Sequence, residues 1–341
     1  MPSAETGGGP GSPVLVTGGA GYIGSHACKA LRNAGYLPVT LDNLSTGWRD
    51  AVRFGPLVEA DVTDRAALDA AFAQWRPVAV MHFAAASLVG EATVNPGKYW
   101  RNNLGGTQTL LEAALAAGCR DFVFSSTCAV HGDQDGVVLT EDSALAPLNA
   151  YGASKAAVEA LLRDFGVAHG LRWVAFRYFN VAGADPEAEI GERHEPETHL
   201  IPLVLQAAAG LRDGLTLHGT DYPTPDGTCI RDYVHVADLV AAHLQGLRHL
   251  QDGGAGGVFN LGTGRGFSVR EVLEAAGRVT GLPVAVTEGP RRPGDAARLV
   301  SGSTRAAATL GWTPRHSDLE RMIGDAWRWQ RALTGRGDCH T

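Results

Sequence analysis

A glycine-rich turn between an apolar strand and a helix constrains the fold of this chain more than any other feature. Residues 14–17 are predicted to form the strand, and Gly18, Gly21 and Gly24 follow it at the start of a helical pattern. Glycines at this spacing let the backbone turn tightly and approach a pyrophosphate, which the unpaired amides of the helix N-terminus can bind. A simple strand-to-helix turn can carry the same glycines, so the rest of the chain has to decide between the two.

Strand-like and helical patterns alternate up to about residue 180. Further strands are predicted at residues 37–41, 78–83, 121–124 and 173–179, and helices at residues 106–117 and 151–169. Such alternation is typical of crossover units, so we expect an α/β fold with a Rossmann-type, doubly wound parallel sheet. Helical patterns at residues 200–209, 236–250 and 268–279 then predict a smaller C-terminal α/β lobe that binds substrate.

The length of the chain favours two lobes, because 341 residues exceed the ~250–300 at which one hydrophobic core stops growing. The predicted organisation is a disordered N-terminal extension over residues 1–12, a nucleotide-binding domain over 13–180, a lobe mainly for substrate over 181–333, and a flexible tail over 334–341.

The composition argues against several classes of partner. A net charge of −7 disfavours nucleic acid and anionic membranes, and no apolar run approaches the ~18 residues of a membrane helix. The five cysteines are scattered without a Cys-x-x-Cys pair, which favours reduced thiols, and no signal-peptide pattern opens the chain. The histidines show no metal spacing, so no metal site is expected. These features predict a cytoplasmic protein with a small-molecule partner.

Four side chains offer the chemistry of a nucleotide-dependent enzyme. Asp42 ends the second strand about 20 residues after the glycines, where it can accept from an adenosine ribose and would repel a 2′-phosphate, which favours NAD over NADP. Tyr151 and Lys155 share a helix face, where the ammonium could lower the pKa of a phenol that takes a substrate proton. Thr127 follows a strand and could hydrogen-bond the reacting oxygen. Each residue also has a purely structural interpretation. Asp42 could cap a loop, Tyr151 and Lys155 could be a pair on a helix surface, and Thr127 could satisfy the backbone at the strand end.

Longer blocks join these positions into one pattern. They comprise the glycine turn, Tyr151-Gly-Ala-Ser-Lys155, residues 177–184, 196–202 and 221–235, and Arg291-Arg292-Pro-Gly-Asp295. With them the chain resembles the extended short-chain dehydrogenase/reductase family from about residue 14 to residue 329, and within it the 4-epimerases of UDP-sugars. The resemblance implies interconversion of UDP-glucose and UDP-galactose by NAD-dependent oxidation at carbon 4, rotation of the 4-keto sugar and hydride return to its other face. It also implies a homodimer.

The resemblance assigns roles to individual residues. Thr127, Tyr151 and Lys155 would form the catalytic trio. NAD would contact Gly18, Gly21, Tyr22, Ile23, Asp42, Asn43, Asp61, Val62, Phe83, Ala84, Asn102, Tyr151, Lys155 and Tyr178. The UDP-sugar would contact Thr127, Asn180, His199, Leu200, His218, Arg231, Arg292, Asp295 and Leu299. The arginines also fit on physical grounds, because their planar forks match the oxygens of a diphosphate.

Other functions stay open at this point. Leu299 falls where side-chain size is thought to limit N-acetylated sugars in the family, so a 4-epimerase of a UDP-N-acetylhexosamine, UDP-pentose or UDP-uronic acid is the main alternative. A dehydratase would need an acid and a base where this chain has Cys128 and Ala129. A non-catalytic NAD-binding protein would not need the tyrosine, the lysine and the strand-end hydroxyl together.

Overall fold

The computed structural model describes residues 11–134, 136–292 and 295–337. Its strands are β1 (Pro13–Thr17), β2 (Leu37–Asp42), β3 (Leu57–Glu59), β4 (Ala79–His82), β5 (Asp121–Ser125), β6 (Val138–Leu139), β7 (Arg172–Tyr178), β8 (Asn180–Ala182), β9 (Leu215–His218), β10 (Ile230–His235), β11 (Gly257–Leu261), β12 (Gly266–Ser268), β13 (Val286–Gly289) and β14 (Arg298–Ser301). Its α-helices are α1 (Tyr22–Asn33), α2 (Arg65–Trp75), α3 (Val89–Val94), α4 (Pro96–Tyr99), α5 (Gly106–Ala116), α6 (Ala150–His169), α7 (Leu200–Ala208), α8 (Val236–Gln251), α9 (Val269–Thr280), α10 (Thr304–Leu310) and α11 (Leu319–Gly337).

A parallel sheet of seven described strands carries the N-terminal part of the site. Its order is β11-β7-β5-β4-β1-β2-β3, and every neighbouring pair is parallel. Successive side chains of a strand point to opposite faces, so Val14 and Val16 of β1 join one hydrophobic core while Leu15 joins the other. Helices α1 and α8 cover the first face and α2, α5 and α6 the second. The predicted Rossmann-type, doubly wound sheet is therefore confirmed.

Local signals fix the ends of several helices. The Asn149 side chain accepts from the Gly152 amide at 3.0 Å and so caps the start of α6, while Gly170, with φ 67°, ends it. A capping box begins α9, with Ser268 and Glu271 each bonded to the other's backbone amide.

The smaller lobe is built around β10. This strand is parallel to β8 and β14 and antiparallel to β12, and β6 pairs with the far side of β14. Helices α7, α9 and α11 bury their apolar faces with this sheet in a third core. The parallel pair β9–β13 lies beside it.

The chain crosses between the lobes more often than the predicted division at residue 180 allows. Helix α8 packs with α1, and β11 extends the seven-stranded sheet beside β7, so residues 236–261 return to the nucleotide-binding domain. In the other direction, β6 precedes residue 180 but pairs with β14 of the smaller lobe. Pairing between strands that are distant in the sequence determines which lobe these segments join. The local hydrophobic pattern carries no information about that pairing.

The described ends of the chain join regular elements. Gly11 donates to the Gly35 carbonyl at 2.6 Å and Ser12 accepts from the Leu37 amide at 3.0 Å, so these two residues extend the contact between β1 and β2. Helix α11 continues to Gly337 and so includes residues 334–337 of the predicted tail. The rest of the predicted extension and tail, residues 1–10 and 338–341, lies outside the described residues.

The predictions about membrane helices and about the cysteines can be compared with the described residues. No described helix is long and apolar enough to cross a membrane. Cys28, Cys119, Cys128 and Cys229 are free thiols, and the first three are buried.

Candidate active site

The glycine turn leaves room for a ligand against the start of α1. Gly18 has φ +71°, and a Cβ there would lie 2.6 Å from the Ala84 amide nitrogen. A Cβ on Gly24 would lie 2.1 Å from the Gly18 carbonyl oxygen, so the helix packs on the turn only because both are glycines. Gly21 caps α1 without a side-chain hydrogen bond, which leaves the first helix amides for an anion. These features fit the pyrophosphate of a dinucleotide.

The residues predicted to contact the adenosine half of NAD lie close together at the end of β2. Asp42 is buried, and its carboxylate accepts from the Ala20 amide at 3.0 Å and the Leu44 amide at 2.8 Å. Burial raises the pKa of Asp42 and these two hydrogen bonds oppose the rise. Asn43 donates to the Asp61 carboxylate at 2.6 Å, which brings two predicted contacts together.

The apolar members of the predicted NAD set are packed on both faces of the sheet. Ile23 and Phe83 pack against the first core, and Val62 belongs to the second. The Tyr22 hydroxyl donates at 2.6 Å to a backbone carbonyl just after β8, which joins α1 to the smaller lobe. The Tyr178 hydroxyl hydrogen-bonds a serine at the end of β5.

A π-helical turn, residues 100–105, holds Asn102 next to Asn103. The Asn102 amide donates at 3.0 Å to Asn103, whose side chain is buried. Asn103 accepts from the Ala86 amide at 2.8 Å and donates to the Ala86 carbonyl at 3.0 Å and the Ser154 hydroxyl at 3.1 Å. It therefore ties the segment after β4 to α6, next to the predicted catalytic tyrosine.

The predicted catalytic side chains meet at the carboxyl end of β5. Thr127 begins the short turn after β5, and its hydroxyl hydrogen-bonds the half-buried phenol of Tyr151 at the start of α6. Lys155, one turn further along α6, is buried and donates to the Ser125 carbonyl at 2.8 Å. Its ammonium also lies 4.7 Å from the centre of the Phe124 ring.

The two titratable groups on α6 respond differently to burial. Burial lowers the pKa of Lys155 to about 7, and the charge of Glu159 opposes the change. Burial raises the pKa of Tyr151, the Thr127 hydrogen bond partly offsets this, and Cys128 adds a smaller rise. The expected lowering of the phenol pKa is therefore not seen, because burial outweighs the Thr127 hydrogen bond.

A buried ion pair lies behind Lys155. Arg177 donates to both carboxylate oxygens of Glu159, at 2.9 and 2.5 Å, and the Ser126 hydroxyl donates to the same carboxylate at 2.5 Å. His131 is buried beside this pair, with Nε2 3.3 Å from the Arg177 guanidinium. The pair fixes the end of β5 from which Thr127 extends.

The predicted UDP contacts on the smaller lobe gather on β10 and β14. Arg231 donates to the Asp295 carboxylate at 3.2 Å and to the Ala296 carbonyl at 2.9 Å. Leu299 is its direct partner across the parallel strands. Asn180 begins β8 on the other side of β10. Three predicted substrate residues, Arg231, Asp295 and Leu299, are therefore neighbours in space.

The remaining substrate candidates lie at the ends of neighbouring elements. His218 ends β9, and its Nδ1 atom lies 3.3 Å from the Pro290 carbonyl. Arg292, two residues further on, is exposed. His199 caps α7 and faces two glutamates, and Leu200 is the first residue of the same helix.

One contact connects the two halves of the site. The Cys128 thiol donates to the Ser301 hydroxyl at 3.7 Å, so the turn that begins at Thr127 touches β14 two residues beyond Leu299. Asp232 on β10 accepts from the Ser301 amide at 3.2 Å and completes the link. The strand-end hydroxyl and the arginine of β10 therefore belong to one continuous structure.

A parallel sheet with an uncapped helix start at β1 and a threonine–tyrosine pair at β5 defines a Rossmann-type dinucleotide-dependent enzyme. The model of the NAD dependent epimerase/dehydratase family matches residues 14–262, and the chain belongs to this family.

Relatives of the chain match it over nearly its full length. A UDP-glucose 4-epimerase of Rhizobium meliloti (strain 1021) is 49% identical over 316 residues, which are 93% of this chain and 96% of the relative. The crystal structure of UDP-glucose 4-epimerase from Brucella ovis in complex with NAD has a TM-score of 0.91 and 49% identity, with 93% of this chain and 98% of that chain covered. The enzyme from Bifidobacterium longum in complex with NAD⁺ and UDP has a TM-score of 0.90 and 34% identity, with 95% and 99% covered.

Proposed function

We propose that this protein interconverts UDP-glucose and UDP-galactose by NAD-dependent inversion of carbon 4. The hydrogen bond between Thr127 and Tyr151, at the sheet edge where the glycine turn opens, carries the proposal. Open parallel sheets bind ligands at this edge. The similarity to UDP-glucose 4-epimerases over 93% of the chain supports the same reaction.

The glycine turn and its surroundings are proposed to hold NAD. The α1 amides face the pyrophosphate, and Asp42 accepts from the adenosine ribose. The relative from Brucella ovis was crystallised with NAD, which supports this assignment. When bound, NAD supplies a reversible hydride acceptor for carbon 4 of the sugar.

The catalytic side chains are proposed to handle the proton of the 4-hydroxyl. Tyr151 takes this proton as carbon 4 is oxidised, and Thr127 hydrogen-bonds the same oxygen. The 4-keto sugar then rotates while UDP stays bound, and Tyr151 returns the proton after hydride has reached the opposite face. Lys155 is held by the Ser125 carbonyl, and its ammonium stabilises negative charge on the phenol.

The smaller lobe is proposed to hold UDP. Arg231 and Arg292 contact the diphosphate, because arginine forks match phosphate oxygens, and Asp295 accepts from ribose hydroxyls. The proposed UDP-sugar contacts are completed by Asn180, His199, Leu200, His218 and Leu299. The Bifidobacterium longum relative was crystallised with UDP, which supports a UDP site in this fold.

Conversion of UDP-galactose tests the proposal. The protein is purified without added cofactor and incubated with UDP-galactose, UDP-N-acetylgalactosamine or UDP-arabinose, and the epimeric product of each is measured. We expect UDP-galactose to be converted fastest without added NAD. Faster conversion of another sugar would support the epimerase reaction but assign it a different substrate. No epimerisation with NAD bound would reject the proposed function.

We propose further that the protein works as a homodimer in the cytoplasm. The candidate interface includes α5 and α6, where Val167 is 86% exposed, and Trp100 just before α5 is 41% exposed. Burial of these side chains in a partner would remove apolar surface from water. The four free thiols among the described residues are consistent with a reducing compartment. Light scattering should give twice the mass of one chain, and a single-chain mass would contradict the dimer.

A further inference from the structure

Four side chains of the segment between β8 and α7 converge into what we name the Glu–His cluster: Glu192, His194, Glu197 and His199. One nitrogen or oxygen atom from each lies within 4.8 Å of the corresponding atoms of the other three. The catalytic mechanism uses none of the first three. Their convergence is therefore not explained by the proposed epimerase reaction.

The distances within the cluster match those between ligands of one metal ion. His194 Nδ1 lies 3.4 Å from an oxygen of Glu192 and 3.4 Å from one of Glu197. His199 Nδ1 lies 3.0 Å from Glu192 and 3.1 Å from Glu197. Ligands held tetrahedrally at zinc bond lengths of ~2.0–2.2 Å are about 3.3–3.6 Å apart, so the cluster needs only a small expansion.

A second observation concerns the buried Nδ1 atom of His194. It faces one oxygen of each carboxylate at 3.4 Å, and neither contact among the described residues has the geometry of a well-formed hydrogen bond. An enclosed ring nitrogen without a partner is unfavourable unless another species binds it. A metal ion at the centre of the cluster would use its lone pair directly.

The charge of the cluster also calls for a cation. The Glu192 and Glu197 side chains are only 7% and 6% exposed, and neither pairs with a lysine or arginine in the part of the chain that the structure describes. The nearby acidic group of Asp185, Glu187 and Glu189 differs, because all three bind the Lys29 ammonium. Two nearly buried carboxylates without such a partner are costly unless a bound ion or protonated histidines neutralise them.

We propose that the Glu–His cluster binds one zinc ion through Glu192, His194, Glu197 and His199. Two imidazoles and two carboxylates suit zinc, whereas magnesium and calcium prefer oxygen ligands alone. Four protein ligands leave no open position, so the ion is structural. It fixes the segment that leads into α7. A zinc ion on Nδ1 of His199 leaves Nε2 of that ring free, so the proposed UDP contact remains compatible.

The surroundings of the cluster support a structural role. The Trp329 indole donates to the Glu192 carbonyl at 2.9 Å, and the Trp48 indole donates to the Arg193 carbonyl at 3.1 Å. The Arg193 guanidinium also lies 3.7 Å from the centre of the Trp48 ring. The backbone on one side of the cluster is thus already fixed, and zinc would fix the side chains on the other.

Metal content tests the proposal independently of activity. The full chain without a histidine tag is stripped with EDTA, incubated with zinc chloride, desalted and analysed by mass spectrometry of the elements. Wild type should retain about one zinc ion per chain. His194→Gln and Glu192→Gln should bind zinc at least about tenfold more weakly in competition with a fluorescent chelator. His169→Gln, a change of an exposed histidine on α6, should behave as wild type.

Two results would overturn the proposal. One is a reconstituted wild-type chain that retains no zinc, in which case protonated histidines neutralise the glutamates. The other is a folded His194→Gln chain that binds zinc as tightly as wild type. If Glu192→Gln does not fold, His194→Gln carries the test, since that side chain is 30% exposed. EDTA should also lower the thermal midpoint of wild type and leave that of His194→Gln unchanged.

Discussion

At the scale of the residue, Tyr151 shows how environment sets the state of a catalytic group. Burial raises its pKa, and the Thr127 hydrogen bond opposes the rise without reversing it. Lys155 lies on the same helix face, but its ammonium is bound to the Ser125 carbonyl. The phenol therefore has to lose its proton in a site whose charge changes when ligands bind.

Replacement of Tyr151 by phenylalanine should separate chemistry from cofactor binding. We expect Tyr151→Phe to lower kcat about 10²- to 10⁴-fold, the range of general acid–base catalysis, because no other group is proposed to take the 4-hydroxyl proton. NAD retention, measured by absorbance and extraction, should stay as in wild type. Tyr36→Phe removes a hydroxyl bonded to Gln251, away from the proposed site, and should keep full activity. A Tyr151→Phe enzyme with wild-type kcat would exclude this role.

At the scale of the element, the glycine turn and α1 act as one unit. The contact between Gly24 and the Gly18 carbonyl sets how closely the helix approaches β1, and this approach aims the helix amides at the ligand. The turn cannot adjust on its own. Gly18 already has a positive φ, and its neighbours after β4 lie against it.

Gly24→Ala should therefore remove the retained cofactor. The added Cβ would lie 2.1 Å from the Gly18 carbonyl oxygen, so α1 has to shift and its amides leave the pyrophosphate. We expect at least about a tenfold loss of NAD affinity, which corresponds to about 1.4 kcal/mol. Isothermal titration with NAD gives the affinity.

Gly277→Ala is the matched control for this change. Gly277 also lies within a helix, and a Cβ there would meet no described residue within 4 Å. This substitution should leave NAD affinity unchanged and, through helix propensity, slightly stabilise the fold. Equal affinity of both variants and wild type would show that the turn does not position the cofactor.

Elements with strong local signals were predictable, and contacts made by distant residues were not. The helices that begin at Ala150 and Val269 were both located by their local helical pattern. The bridge made by Asn103 was not, because its partners Ala86 and Ser154 are 17 and 51 residues away. The adjacent pair Asn102 and Asn103 was the available signal.

The Glu–His cluster was missed for a related reason. The sequence has five glutamate and histidine residues within the eight positions from Glu192 to His199, but the segment contains no helix or strand. Outside a helix or strand, the separation of residues along the sequence does not predict the distance between their side chains. Only the folded loop shows that the four side chains converge.

At the scale of the whole molecule, the two lobes share strands, helices and polar links. Strand β6 leaves the first lobe to pair with β14, and α8 and β11 return from the second. The amide of Asn260 on β11 donates to Glu141 at 2.8 Å, so the segment after β6 is bound back to the large sheet. Both lobes should therefore unfold together, and stability measurements report on the complete site.

Acid should destabilise this cooperative unit through buried neutral histidines. Burial lowers the pKa of His26 to about 4, of His82 to about 3 and of His243 to about 4. In the unfolded chain these groups have a pKa of about 6.5, so below that pH the unfolded state binds more protons. The contribution of each histidine to the free energy of unfolding is complete above pH ~6.5. It decreases by up to ~1.4 kcal/mol per pH unit as the pH falls toward the pKa of that histidine in the folded state.

His243 offers the clearest test of this dependence. Its ring is fully buried between Phe83 and Phe176, with centroid distances of 4.9 and 4.7 Å, and Nδ1 donates to the Leu239 carbonyl at 2.9 Å. His243→Leu fills this space with an apolar side chain and removes the group that binds a proton. Urea unfolding between pH 6.5 and 4.5 should show a pH slope smaller than that of wild type by up to ~1.4 kcal/mol per unit, while the exposed His169→Gln change should leave the slope intact. An unchanged slope in His243→Leu would mean that this ring is protonated in the folded state, and that burial does not hold it neutral.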